Sequence, residues 1–122
     1  MRNGRELITA TVDDSKTAVI ERMKENGVSQ LPVVDHDQHY VGMITEVSLL
    51  KHLLTPDHHE KSETIADVIE KDAAVPIHKD TTLDALPEIF AASKIAVVLE
   101  DQAPIGIVTK IDLIDYLAGR MS

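Results

Sequence analysis

The 122-residue chain carries 21 acidic against 12 basic side chains, a formal net charge of −9, with 43% apolar residues and no cysteine. That balance repels phosphate backbones and anionic headgroups, so neither nucleic acid nor a membrane surface is expected as a partner. The missing thiols exclude disulfides, thiolate nucleophiles and sulfur-ligated zinc. The apolar fraction suits a folded globular chain, no apolar run approaches a spanning helix and no signal-peptide core is seen, so the cytoplasm is the expected compartment.

Residues 1–7 read as a lead-in to a short strand at Ala10 to Val12. Residues 14–25 then set Ala18, Val19 and Met23 among Glu21, Arg22 and Lys24, with Asp14 or Ser15 available as an N-cap and Gly27 as a stop, which predicts a helix. Leu31 to Val34 and Tyr40 to Thr45 are apolar runs separated by the turn-forming Asp35 to Gln38, and together predict a hairpin. Leu49, Leu50, Leu53 and Leu54 recur at helical spacing. Thr55 to Thr64, with Pro56, His58 and His59, is a polar linker; a short helix from Ile65 to Lys71 and a strand from Val75 to Ile77 follow it. The aromatic residues are Tyr40, Phe90 and Tyr116, so a cleft for a base would hold it by aliphatic packing and edge hydrogen bonds rather than between rings.

The element order then repeats. Residues 31–54 align without a gap on 95–118 at a constant offset of 64, matching Val33 with Val97, Gly42 with Gly106, Thr45 with Thr109 and Leu49 with Leu113. Upstream, Asp14 matches Asp80 at an offset of 66, so the second copy has lost two residues from the loop before Ile95. The expected fold is therefore α/β (α+β): two pseudo-symmetric β-α-β-β-α repeats at 8–54 and 65–122, joined by a linker at 55–64 and packed through their sheets. Each half alone buries too little apolar surface to be secure, so the two must share a core.

Two such units, each with an apolar strand (LPVV or IAVV) followed by Gly-apolar-apolar-Thr, resemble the CBS domain family over nearly the whole chain. Within it, the runs Gly27 to Asp35, Gly42 to Thr45 and Gly106 to Leu113 look like the C-terminal regulatory region of cystathionine beta-synthases. The resemblance implies a Bateman module: a pair with two clefts for adenosine derivatives, non-catalytic, allosteric, dimeric, and controlling a linked or partner catalytic domain. It assigns the ribose hydroxyls to Asp112, a ligand tail to Thr109, the base edge to the loop Val28, Ser29, Gln30 and Leu31, and apolar contacts to Ile8, Ile107 and Ile111. Residue chemistry alone reads Asp112 as an N-cap, Thr109 as a strand end and the apolar positions as core. Val28 stands where the animal enzyme has an aromatic ring and Ser29 where it has an acid, so AMP, ADP and ATP join S-adenosylmethionine as expected effectors.

The other cleft would use Thr45, Glu46 and Ser48 with Ser93 to Ala96, and it is expected to be degenerate because Ser48 replaces a carboxylate and the loop is shortened. His36 and His39 fall in a turn and His58 and His59 in the linker, so no metal site is expected. No phosphate-binding glycine loop, Gly-x-Ser-x-Gly nucleophile or metal triad is present, and no catalysis is expected. The competing reading is a ligand-free structural or oligomerisation module, which would have no use for a ribose-gripping carboxylate at Asp112.

Overall fold

The computed structural model describes residues 7–54, 64–81, 87–88, 90 and 95–121, with backbone alone at 113, 116, 117, 120 and 121. The first repeat opens with β1 (Ala10–Thr11) and crosses through α1 (Lys16–Asn26) to the parallel β2 (Gln30–Val34), which pairs antiparallel with β3 (Tyr40–Thr45) and leads into α2 (Glu46–Leu54). A single 3-10 turn, Ile65–Asp67, precedes the second repeat: β4 (Ala74–His78) lies parallel to β5 (Ile95–Glu100), β5 antiparallel to β6 (Ala103–Thr109), and α3 (Lys110–Met121) follows. The result is two three-stranded sheets of the same order. The counterpart of α1 falls on residues largely outside those described; of it, Phe90 is buried and packs with Ala96.

Local chemistry sets the boundaries. Ser15, not Asp14, caps α1: its hydroxyl accepts the Ala18 N–H at 3.0 Å, and Gly27 ends the helix at φ 62°, a conformation that costs glycine little. Asp14 instead ties the turn before the helix. Its Oδ2 accepts from Thr11 N–H and from the Arg22 guanidinium, both at 2.9 Å, while Arg22 also donates to the Thr9 carbonyl. The β2–β3 connection is an Asp35-centred turn, in which Asp35 Oδ1 accepts from Asp37 N–H at 2.9 Å and His39 N–H at 3.0 Å. The His39 bond above all holds the Asp35 carboxyl below the usual carboxylate range. Asp101 and Gln102 join β5 to β6 with φ of 51° and 71°, the positive angles a two-residue hairpin demands.

One core lies under the helices of the first repeat, with Val19, Leu31, Val33 and Ile44 wholly buried. A second lies between the sheets, where Met43 of β3 meets Ala74, Ile95 and Val97. The halves therefore share a core, as their size requires. They are also stitched together by backbone: Ile65 N–H donates to the Asp14 carbonyl at 2.9 Å, Met43 and Glu70 exchange two bonds of 2.8 Å, and Tyr40 N–H donates to the Gln102 carbonyl at 2.8 Å. Ile65 and Val68 are buried in the first repeat's core, so the start of the second repeat completes the first. This corrects the helix expected from Ile65 to Lys71. Pairing with Met43 draws Glu70 into an isolated β-bridge, and the helical turn stops at Asp67. Gly42 makes the approach possible, because a Cβ there would lie 2.4 Å from Ile69 Cγ2 and 3.0 Å from the Glu70 carbonyl oxygen.

Candidate functional site

The expected site divides between a loop in the first repeat and a strand-to-helix junction in the second. At the junction, β6 ends at Thr109 and α3 begins at Lys110. Thr109 is the residue that caps the helix, and Asp112 sits in its first turn. Asp112 Oδ2 accepts from both the Thr109 N–H and the Thr109 hydroxyl at 2.9 Å, and Thr109 Oγ1 accepts the Asp112 N–H at 3.3 Å. This is a reciprocal capping box, which corrects the reading of Asp112 as the N-cap itself. Only one carboxylate oxygen is engaged; among the described residues Oδ1 takes no hydrogen bond. A half-buried carboxylate at a helix start, oriented through one oxygen and with the other open, is an acceptor suited to a pair of hydroxyls.

The same box recurs at the equivalent place in the first repeat with a hydroxyl for the carboxylate. Thr45 N–H donates to Ser48 Oγ at 3.1 Å, Ser48 N–H to Thr45 Oγ1 at 3.0 Å, and Ser48 Oγ–H to the Thr45 carbonyl at 2.9 Å. Ser48 is buried, with both functions of its hydroxyl spent on the helix start. A hollow of about 300 Å³ lies beside it, lined by Lys51, His52 and residues 67–70. The partner loop of this second cleft begins at Ser93 and Lys94, which lie outside the described residues.

The loop Val28–Leu31 leads into β2. Val28 N–H is committed to the Met23 carbonyl at 3.1 Å, closing α1, and the Ser29 carbonyl accepts the Glu46 N–H at 3.0 Å, joining the loop to the first residue of α2. Gln30 stands opposite Thr45 in the ladder. Leu31 is fully buried, and Ile8 and Val28 pack partly buried against the same helix-covered core. Ile107 instead packs against the cluster between the sheets, and Ile111 is 59% exposed. The strands that carry Leu31 and Ile107, β2 and β6, are in contact across the seam. An apolar groove of about 550 Å³ between α1 and α2 takes in Val28 and Ser29, together with Ile20, Met23, Leu49 and Leu53; none of Ile107, Thr109, Ile111 or Asp112 lines it.

Asp35, Asp37 and His39 bring one ligating atom each within 4.8 Å of one another, but Asp35 Oδ1 already accepts the turn's own N–H groups. Sequence inspection missed Glu70 and Gly42 as joints between the repeats. It had the signal for the caps, since Thr-x-x-Ser and Thr-x-x-Asp are capping-box spacings.

Two three-stranded sheets of the same order, each ending in a strand whose last threonine caps the helix that follows, make a pseudo-symmetric pair of repeats. The model of the CBS domain matches residues 3–55 and again 65–119, and the chain belongs to the CBS domain family as a tandem pair. It is 30% identical over 118 residues to cystathionine beta-synthase of Dictyostelium discoideum, a match that takes in 90% of this chain and 23% of that enzyme. Its fold is that of CBSX2 in complex with AMP (TM-score 0.75, 19% identity, 95% of this chain and 90% of that one). It is also that of CbpB in complex with c-di-AMP (TM-score 0.77, 18% identity, 94% and 79%). No helix among the described residues is long and apolar enough to cross a membrane.

Proposed function

We propose that this chain is a non-catalytic regulatory module that binds an adenosyl ligand, S-adenosylmethionine or an adenine nucleotide, between its repeats and thereby controls a linked cystathionine beta-synthase-like enzyme in the cytoplasm. The observation that carries the reading is the Asp112 carboxylate, held through Oδ2 with Oδ1 open at the start of α3. The ribose falls to Asp112, the ligand tail to Thr109, the base edge to Val28, Ser29, Gln30 and Leu31, and apolar contacts to Ile8, Ile107 and Ile111. AMP and c-di-AMP in the two structural neighbours support an adenosine-containing ligand. The absence of a ring at Val28 and an acid at Ser29 favours a nucleotide over the sulfonium compound. Because the Ser29 carbonyl is bonded to the Glu46 N–H, a ligand gripping the loop pulls on the first turn of α2, which gives binding a route to the outer helices.

A thermal-shift panel of S-adenosylmethionine, S-adenosylhomocysteine, AMP, ADP, ATP and c-di-AMP tests this. A ligand at a hundred times its dissociation constant stabilises by about 2.7 kcal/mol. Asp112→Asn, which keeps an acceptor for Thr109, abolishes the shift and Ser48→Ala leaves it; silence across the panel sinks the sensor reading.

A structural role is favoured by a separate observation. Val47 and Leu50 on α2 are each 54% exposed, and their equivalents at the offset of 64, Ile111 and Ile114 on α3, are 59% and 57% exposed. The repeat thus presents the same apolar positions twice, an exposed surface that a second copy of this chain would cover about a two-fold axis. Sedimentation of the intact chain and of Leu50→Glu decides it: a dimer reduced to monomer supports the interface, and an unchanged mass rejects it.

A further inference from the structure

Tyr40 opens β3 on the side that faces the second sheet, packed against the cluster of Met43, Ala74, Ile95 and Val97. Its N–H is bonded across the repeats to the Gln102 carbonyl at 2.8 Å. Its hydroxyl oxygen is buried and has no hydrogen-bond partner among the described residues, and burial pushes the phenol above its usual range. The equivalent residue of the second repeat, at the offset of 64, is Pro104, which carries no polar tip. A buried hydroxyl without a protein partner opposes the packing that buries it, and that penalty is relieved in an arrangement where the group is exposed to solvent. The neighbouring ties of the seam are complete: Met43 and Glu70 satisfy one another in both directions. One group in the seam therefore works against closure while its neighbours work for it.

We infer that Tyr40 is a conformational bias built into the first repeat: its orphan hydroxyl keeps the Tyr40–Gln102 end of the inter-sheet seam close to an opening in which the two hairpins part and the phenol meets water. The bias belongs to the empty module and stands whatever ligand the cleft takes.

Native-state amide exchange tests it on the intact chain and on Tyr40→Phe. In the unsubstituted chain the amides of Tyr40 and Met43 exchange through an opening that depends weakly on denaturant, while Val19, bonded within α1, exchanges only through global unfolding. In Tyr40→Phe the position-40 and Met43 amides slow about tenfold relative to Val19, as removal of a buried hydroxyl without a partner requires. Equal slowing at all three amides, or none, overturns the inference, as does exchange of the Tyr40 amide in the unsubstituted chain by global unfolding alone. The last measurement needs no variant and so holds even where Tyr40→Phe folds poorly.

Discussion

Gly42 and Gly106 occupy the same position in the two repeats, yet the structure predicts opposite responses to an added methyl group. In Gly42→Ala the new Cβ would fall 2.4 Å from Ile69 Cγ2 and 3.0 Å from the Glu70 carbonyl oxygen. The second obstacle governs the cost. Glu70 cannot retreat without stretching the pair of 2.8 Å bonds it shares with Met43, which tie the linker end of the second repeat to the first sheet. Overpacking of this kind costs about 1–3 kcal/mol, and part of the Met43–Glu70 pairing is lost with it, so the expected penalty is about 2–3 kcal/mol. For a chain of this length that is a fall in Tm of about 8–12 °C. Gly106 has no heavy atom within 4 Å of the corresponding Cβ among the described residues, and Gly106→Ala should lie within about 0.5 kcal/mol of the parent. Urea unfolding followed by far-ultraviolet circular dichroism measures both. Equal losses in the two variants, or a neutral Gly42→Ala, would refute the idea that the 68–70 segment is held against β3.

Met43→Ala empties the shared cluster between the sheets and is expected to cost about 2–5 kcal/mol; a lowered Tm in calorimetry would match this, and an undiminished Tm would not. Ser15→Ala removes the acceptor of the Ala18 N–H and should cost about 1 kcal/mol, a fall in Tm of about 4 °C, whereas Asp14→Asn should leave the helix start intact. For Asp14, burial pushes the carboxyl up, but the Thr11 N–H and the Arg22 guanidinium together hold it below its ordinary 3.8. A depressed carboxyl adds stability that is complete above its unfolded value and is lost as pH falls through the folded one. Stability of the parent should therefore drop more steeply than that of Asp14→Asn below about pH 4; superimposable acid limbs would remove Asp14 from the account.

The repeat, its strands and its hairpins were legible in the sequence because each depends on local signals that act in both copies. Leu31 to Val34 and Tyr40 to Thr45 are apolar runs around a turn, and Gly27 marks a helix end that only a left-handed residue satisfies. What escaped was set by contacts between the copies. Nothing in Val68, Ile69 and Glu70 announces that their backbone will pair with a strand 27 residues earlier, so the short helix was read too long. Capping was misassigned by one turn at Asp112 for a different reason. Carboxylates serve both as N-caps and as the third residue of a capping box, and residue type alone does not separate the two roles. The divided apolar wall, with Leu31 in one core and Ile107 in another, follows from which face of each strand meets the seam, which a run of apolar residues does not reveal.

The paired caps at Thr45–Ser48 and Thr109–Asp112 separate two jobs that a single residue usually confounds. Serine closes the same capping box as aspartate but brings no charge to the helix start. The charge at this position can therefore change while the helix start stays capped. Ser48→Asp adds a negative charge on a mount that already exists, and its twin, sixty-four residues on, is the blueprint.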